Sequence, residues 1–418
     1  MYNFDQTFRQ LLDVYSVYWD ARLNDVDNKD GGGVYLRILA VGYEPTAGFR
    51  QEVSCAFGSA AGASDKPVVV PVVVPVDGHR LVGGSSGRFG SFILSCRVPA
   101  VWTNGTDRWR PPLCDVQLIG SKGRLRNSFK VINTAPVSPQ RDFTVCTPPL
   151  LGDLPRAQLT EFIELSRLLG ASHVTFYDHD LSPRSSDVLE YYARRGLATV
   201  LPWKLSTYMD QMLQDNTGRL ALTDCLYRNM ALSKYVVFMD LNEYIVPYKW
   251  TNWHDMAQEL FDTEKTCALK VNGVFFGPYS QDDDDDELLM TLTNTWRTNV
   301  TTAQHTRSIV KPQMLFDALA SDTSVALFKY YRSKGVDYPV AIVHHHQQCQ
   351  ADDELSLVDM VLNHVNDVRM SCVDMVRDDV IPQRYTRLLK ERVRHAWQDL
   401  DDLKKKPNRE VTNARDEL

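Results

Sequence analysis

From residue 143 onward the chain alternates short β-type runs with amphipathic helical segments, and that alternation leaves few folds open. The run "FTVCT" (143–147) stops at Pro148-Pro149. "AQLTEFIELSRLLG" (157–170) then sets Leu159, Phe162, Ile163, Leu168 and Leu169 at helical spacing, with Gly170 as its stop. "HVTFYD" (173–178) reads as a second strand, "SSDVLEYYARRG" (185–196) as a second helix and "ATVLPW" (198–203) as a third strand. A β-α-β-α-β series builds a parallel sheet with helices on its faces. In open sheets of this kind the ligand lies outside the carboxyl ends of the strands.

That rule gives meaning to "KYVVFMDLNEYIVP" (234–247), where the apolar run Val236 to Met239 meets Asp240, Asn242 and Glu243. A desolvated carboxylate costs several kcal/mol unless a partner or a metal compensates it. Polar groups at the end of a buried strand therefore point to a site. Asp178, at the end of "HVTFYD", falls on the same edge. About a hundred residues later "AIVHHHQQC" (341–349) delivers His344, His345 and His346 from another apolar strand. A carboxylate with a neutral imidazole makes a mixed oxygen and nitrogen site suited to Mn²⁺. Hydrogen-bonded histidines and a turn-capping Asp240 are the plain alternatives.

Upstream the texture differs. Residues 1–30 carry "FRQLLDVYSVYW", which has a helix-like apolar repeat, before Gly31 to Gly33 break it. Residues 31–140 hold short β-type runs separated by Gly, Ser and Pro clusters, the pattern of an all-β sandwich-like module. Trp102 and Trp109 are available there to stack on sugar rings or to fill a core. "VVVPVVVPV" (68–76), cut by Pro71 and Pro75, reads as edge strand or extended chain and is too short to span a membrane. The catalytic unit is expected over 141–380, with a C-terminal helix and tail over 381–418.

Bulk properties narrow the function. The 418 residues are 44% hydrophobic and 24% charged, with a net charge of −7, which argues against a phosphate-backbone binder. Nucleic acid is not the expected partner. No G-x-x-x-x-G-K-[ST] is present, and "GGSSG" (83–87), which matches G-x-S-x-G, sits in the β-type region with no strand-to-helix context, so nucleotide-loop kinases and elbow hydrolases are disfavoured. Eight cysteines without a CxxC pair, the sequons at Asn104 and Asn299, and the terminal "RDEL" agree on the lumen of the secretory pathway. Golgi residence is expected, the last four residues raise ER retrieval, and any membrane anchor is expected N-terminal to this chain.

The blocks "VCTPPLLGDLPRAQLTEFIELSRLLGASHVTFYDHD", "YYARRGLATVLPW", "LTDCLYRNMALSKYVVFMDLNEYIVP" and "AIVHHH" resemble, in order and spacing, those of glycosyltransferase family 92. This DUF23-type group includes avian and nematode β-1,4-galactosyltransferases, and the likeness covers roughly residues 143–350. It implies an α/β GT-A (Rossmann-like) catalytic domain, UDP-galactose as donor, Mn²⁺ as metal and a galactose-terminated N-glycan as acceptor of a β-linkage. By position Asp240, Asn242, Glu243 and His344 are the implied metal ligands, with Asn242 standing where a second acid is usual. Pro148, Asp178, Asp224 and Arg228 fall on the nucleotide side. The general base stays open among Asp282, Asp283 and Asp284, within "QDDDDDE" (281–287), and Asp317. A glycan-binding protein with a weakened transferase fold is the alternative that Asn242 and the changed histidine block suggest.

Overall fold

The structure is a computed structural model and describes residues 12–22, 33–45, 47–59, 72–81, 89–99, 114–120, 123–126, 130–134, 138–205, 217–277, 289–299, 301–318, 325–346 and 375–405. Its first part contains β1 (Leu12–Asp20), β2 (Tyr35–Tyr43), the one-turn α1 (Phe49–Glu52), β3 (Val53–Ser59), β4 (Val72–Arg80), β5 (Phe89–Arg97), β6 (Cys114–Gly120), β7 (Gly123–Arg126) and β8 (Val131–Asn133). The eight strands form one sheet in the order β7-β6-β3-β4-β5-β2-β1-β8.

Two expectations are corrected here. The stretch read as helical is strand β1, with a bulge between Val14 and Ser16. Its Val14, Val17 and Trp19 enter one core while Tyr18 enters another, so both faces are buried. Burial on both faces removes the two-residue alternation and leaves an apolar run that imitates a helix. The edge-strand reading of β4 needs refining, because the strand lies between β3 and β5 in the sheet order. Residues 72–75 pair with β3 and residues 76–80 with β5, and Pro75 sits where the strand changes partner. Each half keeps an open side, which is where a proline is tolerated. The Cys55–Cys96 disulfide joins β3 to β5 at this crossover.

The second part runs β9 (Arg141–Gly152), α2 (Arg156–Leu169), β10 (His173–Leu181), α3 (Pro183–Arg194), β11 (Ala198–Pro202), α4 (Thr217–Asn229), β12 (Ser233–Phe238), β13 (Glu243–Pro247) and α5 (Trp253–Leu260). It continues with β14 (Thr266–Phe276), α6 (Met290–Thr293), β15 (Trp296–Thr298), β16 (Thr302–Val310), β17 (Arg332–Val336), β18 (Ala341–His346), β19 (Met375–Arg377) and α7 (Val380–Lys405). The main path of this mixed sheet is β11-β10-β9-β12-β16-β14-β15-β19, with β13, β17 and β18 attached beside it. Strands β11, β10, β9 and β12 are mutually parallel, and β16 runs against β12. The local signals act as expected: Gly170 ends α2 at φ 130 with its N–H on the Ser166 and Arg167 carbonyls, and Ser182 caps α3 through the Ser185 N–H. The α7 residues Leu389, Val393, Ala396 and Leu400 share a core with Leu159 and Phe162 of α2.

The two parts are joined by a second core, with Tyr18, Leu39, Val41 and Ile93 on one side and Leu222, Cys225 and Leu226 of α4 on the other. Arg22 crosses the same boundary: its guanidinium binds Asp20 and donates to the Leu315 carbonyl at 2.7 Å. Helix α4 is tied to β9 by the Cys146–Cys225 disulfide.

His173 pins β10 to its neighbour. A carbonyl only accepts, so Nδ1–H donates to Gly196 O at 3.0 Å and Nε2 accepts from the Thr199 hydroxyl at 2.8 Å. The neutral ring satisfies both partners, and burial disfavours its charged form. Burial, helped by the Arg141 charge, pushes the pKa from 6.5 down to about 4. Between those values the unfolded chain takes up the proton and the native chain does not. Stability from this residue is full above pH 6.5 and is lost as pH falls towards 4, by on the order of 3 kcal/mol. Urea midpoints of wild type and His173→Gln should therefore converge on acidification.

Candidate active site

The strand order supplies the location. From β9 the chain steps outward through β10 and β11, then returns to place β12 on the other side of β9. The reversal opens a crevice outside the carboxyl ends of β9 and β12. Phe238 pairs with Cys146, so Asp240 and Pro148 stand close to the same level at that edge. Gly218, in the first turn of α4, lies against Pro148: a methyl there would meet Pro148 Cβ at 3.7 Å.

Asp240 to Glu243 form a tight turn, closed by the Glu243 N–H on the Asp240 carbonyl at 3.1 Å. The turn returns into β13, which pairs antiparallel with β18 and sets Glu243 opposite His345. Arg307 on β16 lies one residue from Ser308, the partner of Phe238. Its guanidinium grips the Glu243 carboxylate through Nε and Nη2, and Nη2 also reaches Asp240 Oδ2 at 3.0 Å. His345 Nδ1 donates to Glu243 Oε1 at 2.7 Å, and the Asp240 N–H donates to Oε2 at 3.0 Å.

The two carboxyls are driven apart. Burial would raise Glu243, but the Arg307 charge and the His345 hydrogen bond outweigh it and hold that carboxyl low. Asp240 is raised by burial and by the Glu243 charge, with Arg307 offsetting part of the rise. Its side chain is still 39% exposed, against 0% for Glu243, so Asp240 is the carboxylate that faces the crevice.

The four residues expected to ligate Mn²⁺ do not converge. Asn242 turns its amide to the His346 carbonyl at 3.2 Å. His344 and His346 project from β18 on the face opposite His345, where both rings stack on Phe276. Tyr248 gives its proton to Asp378, so its oxygen accepts from His344 Nε2–H at 2.9 Å, and Arg297 holds Asp378 from the other side at 2.7 Å. Burial keeps His344 neutral. Among the described residues no group of three or more His, Cys, Asp or Glu side chains could hold a metal ion. The donor set therefore does not fit Mn²⁺.

The nucleotide-side residues divide. Asp178 lies half-buried at the strand edge, accepting from the Leu181 N–H at 2.9 Å. Asp224 is corrected: it is fully buried in α4, where Ser16, Tyr18, Tyr177 and Arg228 all donate to it. A carboxylate with four donors has none of its lone pairs free for a ligand. Arg228 donates to Asp224 through Nε at 2.5 Å and keeps 28% of its side chain exposed. Asp317 is corrected as a base candidate, because it is buried with Oδ1 on the Val325 N–H at 2.6 Å and Oδ2 beside His79 at 3.3 Å. Asp282, Asp283 and Asp284 lie outside the described residues, as do Trp102, Trp109, Asn104 and the C-terminal tetrapeptide. Arg307 was missed, and of the three histidines His344 was taken as the site residue where His345 is the one that meets the acid. An arginine inside the β-type run "TAQHTRSIV" was the available signal, since a buried guanidinium requires an acid.

A protein-family model described as Glycosyltransferase family 92 matches residues 141–394, which is more than half of the chain and contains every element of this edge. The chain belongs to glycosyltransferase family 92. Within the family it is similar to Caenorhabditis elegans "Beta-1,4-galactosyltransferase galt-1", with 26% identity over 289 residues, 64% of each chain. It is also similar to C. elegans "Glycosyltransferase family 92 protein F13G3.3", with 26% identity over 183 residues, 42% of this chain and 35% of that one. The chain thus spans less than two thirds of either relative. Solved structures of Staphylococcus aureus TarS 1-349, alone and in complex with UDP, match at 13% identity and a TM-score of 0.28, covering 49% of this chain and 60% of theirs.

Proposed function

We propose that this family 92 chain is an inverting transferase that moves galactose from UDP-galactose to the terminal galactose of a glycoprotein N-glycan, forming a β-1,4 linkage. The mixed sheet is read as a GT-A domain. The single observation that carries the reading is the placement of Asp240 at the carboxyl end of β12, beside the strand-order reversal and inside the family match. The printed name of galt-1 supports galactose as the sugar.

In this reading UDP-galactose lies across the ends of β9 and β12, with Pro148 and Asp178 towards the uridine. Asp240, held by Arg307, orients the nucleotide sugar. Attack by the acceptor hydroxyl on the anomeric carbon forms the new C–O bond as the bond to UDP breaks, and the hydroxyl proton passes to a carboxylate. Asp282, Asp283 and Asp284, in the stretch that follows β14, are the proposed takers of that proton.

A luminal site of action is proposed with it, in the Golgi. Two disulfides and an exposed Asn299 support the lumen, and no helix among the described residues is long and apolar enough to cross a membrane. Release of UDP from UDP-galactose in the presence of a galactoside tests the reading. Asp240→Asn should lower turnover on the order of a hundredfold with Tm nearly unchanged, since its carboxylate faces the crevice. Full activity of that variant would sink the assignment. A glycan-binding protein without turnover is the second reading, favoured by Asn242, and it predicts no UDP release from wild type.

A further inference from the structure

We infer that this site holds its nucleoside diphosphate without a divalent metal, with Arg307 as its fixed cation. The inference rests on the transferase reading above. It begins with the lone pairs at the strand end. A carboxylate offers about four acceptor positions. Glu243 fills them with Arg307 Nε, Arg307 Nη2, His345 Nδ1 and the Asp240 N–H. Nothing on Glu243 is left for an ion.

Position 242 brings no charge, and its amide donates to the His346 carbonyl. His344 sits on the other face of β18, where Nε2 is committed to Tyr248. Among the described residues, what remains for a metal on the Glu243 side is the outer part of the Asp240 carboxylate, since the unpartnered His344 and His346 ring nitrogens lie on the opposite face of β18. That group already has a guanidinium nitrogen 3.0 Å from Oδ2. A divalent ion there would have one anionic ligand and a like charge beside it. Hard cations of this kind are held by several oxygen ligands, commonly two carboxylates or a carboxylate with phosphates. The guanidinium occupies the position between Asp240 and Glu243 that a cation would need.

The cation position at this strand end is then held by a fixed guanidinium. Arg307 is anchored by two acids from one side and keeps 12% of its side chain exposed. A guanidinium suits this place because it stays protonated, and Arg307, which also donates from Nη1 to the Thr306 carbonyl at 3.3 Å, keeps one N–H for a phosphate oxygen. Such a site needs no ion to enter before the nucleotide.

Titration calorimetry of UDP into the wild-type chain, once with excess EDTA and once with excess Mn²⁺, tests this directly. The two dissociation constants should agree within about threefold. Melting curves without nucleotide should be unmoved by Mn²⁺. If wild type binds UDP only with Mn²⁺, or tenfold more tightly with it, the inference is overturned while the transferase reading stands. If wild type binds no UDP in either condition, the transferase reading fails and takes this inference with it.

Discussion

Asp224→Ala lowers the stability of the chain by about 5 kcal/mol, and the loss appears as a large fall in the urea midpoint. The argument rests on what the carboxylate does at the boundary between the two parts. Ser16 Oγ and Tyr18 OH donate to Oδ1, each at 2.5 Å, while Tyr177 OH and Arg228 Nε donate to Oδ2 at 2.7 and 2.5 Å. Two of those donors come from β1, one from β10 and one from α4 itself. Removing the carboxylate orphans three hydroxyls and an arginine whose side chain is only 28% exposed. Breaking a buried pair by deleting one partner costs roughly 3–5 kcal/mol, and each orphaned donor adds to it where it finds no substitute. Asp224→Asn keeps the volume and one acceptor oxygen, so its loss should be smaller. Because the donors of β1 lose their anchor on α4, the alanine variant should also unfold less cooperatively. An unchanged midpoint would mean that the hydroxyls and Arg228 re-pair freely, and the joint would then not depend on Asp224.

Helix α4 illustrates which parts of this molecule the sequence displays. The β-α-β-α-β series was legible because each element buries one face against a neighbour in the chain, which leaves periodicity 2 or 3.6 on the page. Asp240 was legible because an apolar run stops at it. The partners of Asp224 were not, since Ser16 lies 208 residues away and β1 shows no strand alternation. Asp224 and Arg228 at i, i+4 looked ready for a ligand, but the Asp224 carboxylate is taken by Arg228, by β10 and by the other sheet.

The histidine triplet fails for a related reason. Three consecutive histidines on a strand must alternate faces, but only the register says which one meets the acid. Glu243 pairs with His345, and this sends His344 and His346 to the Phe276 side. A one-residue shift would have produced the expected neighbour. The contact between Arg307 and Glu243 spans 64 residues and depends on the β12–β16 pairing and the turn into β13, and no local pattern announces it.

Glu243→Gln destabilises the chain by roughly 3–5 kcal/mol, and the pH dependence of that loss identifies its cause. The amide keeps one oxygen but turns an NH₂ group towards the Arg307 N–H donors, and the guanidinium, 12% exposed, is left with Asp240 as its only acid. His345 Nδ1 loses a charged acceptor for at best a neutral one. The native carboxyl of Glu243 lies below its ordinary value of 4.5, because Arg307 and His345 outweigh the effect of burial. Below 4.5 the unfolded chain binds a proton that the native chain refuses. The advantage of wild type over Glu243→Gln is therefore full above pH 4.5 and is lost as pH falls through the lowered native value. Asp240 supplies an independent check. Glu243 is one of the charges that raise it, so in the variant, with Arg307 wholly its own, Asp240 should titrate lower than in wild type. Urea unfolding of both proteins between neutral and acid pH measures the first effect, and carboxyl NMR titration of Asp240 the second. A wild-type advantage that grows on acidification, or an Asp240 that titrates higher in the variant, would show that Arg307 is not what holds the two carboxylates.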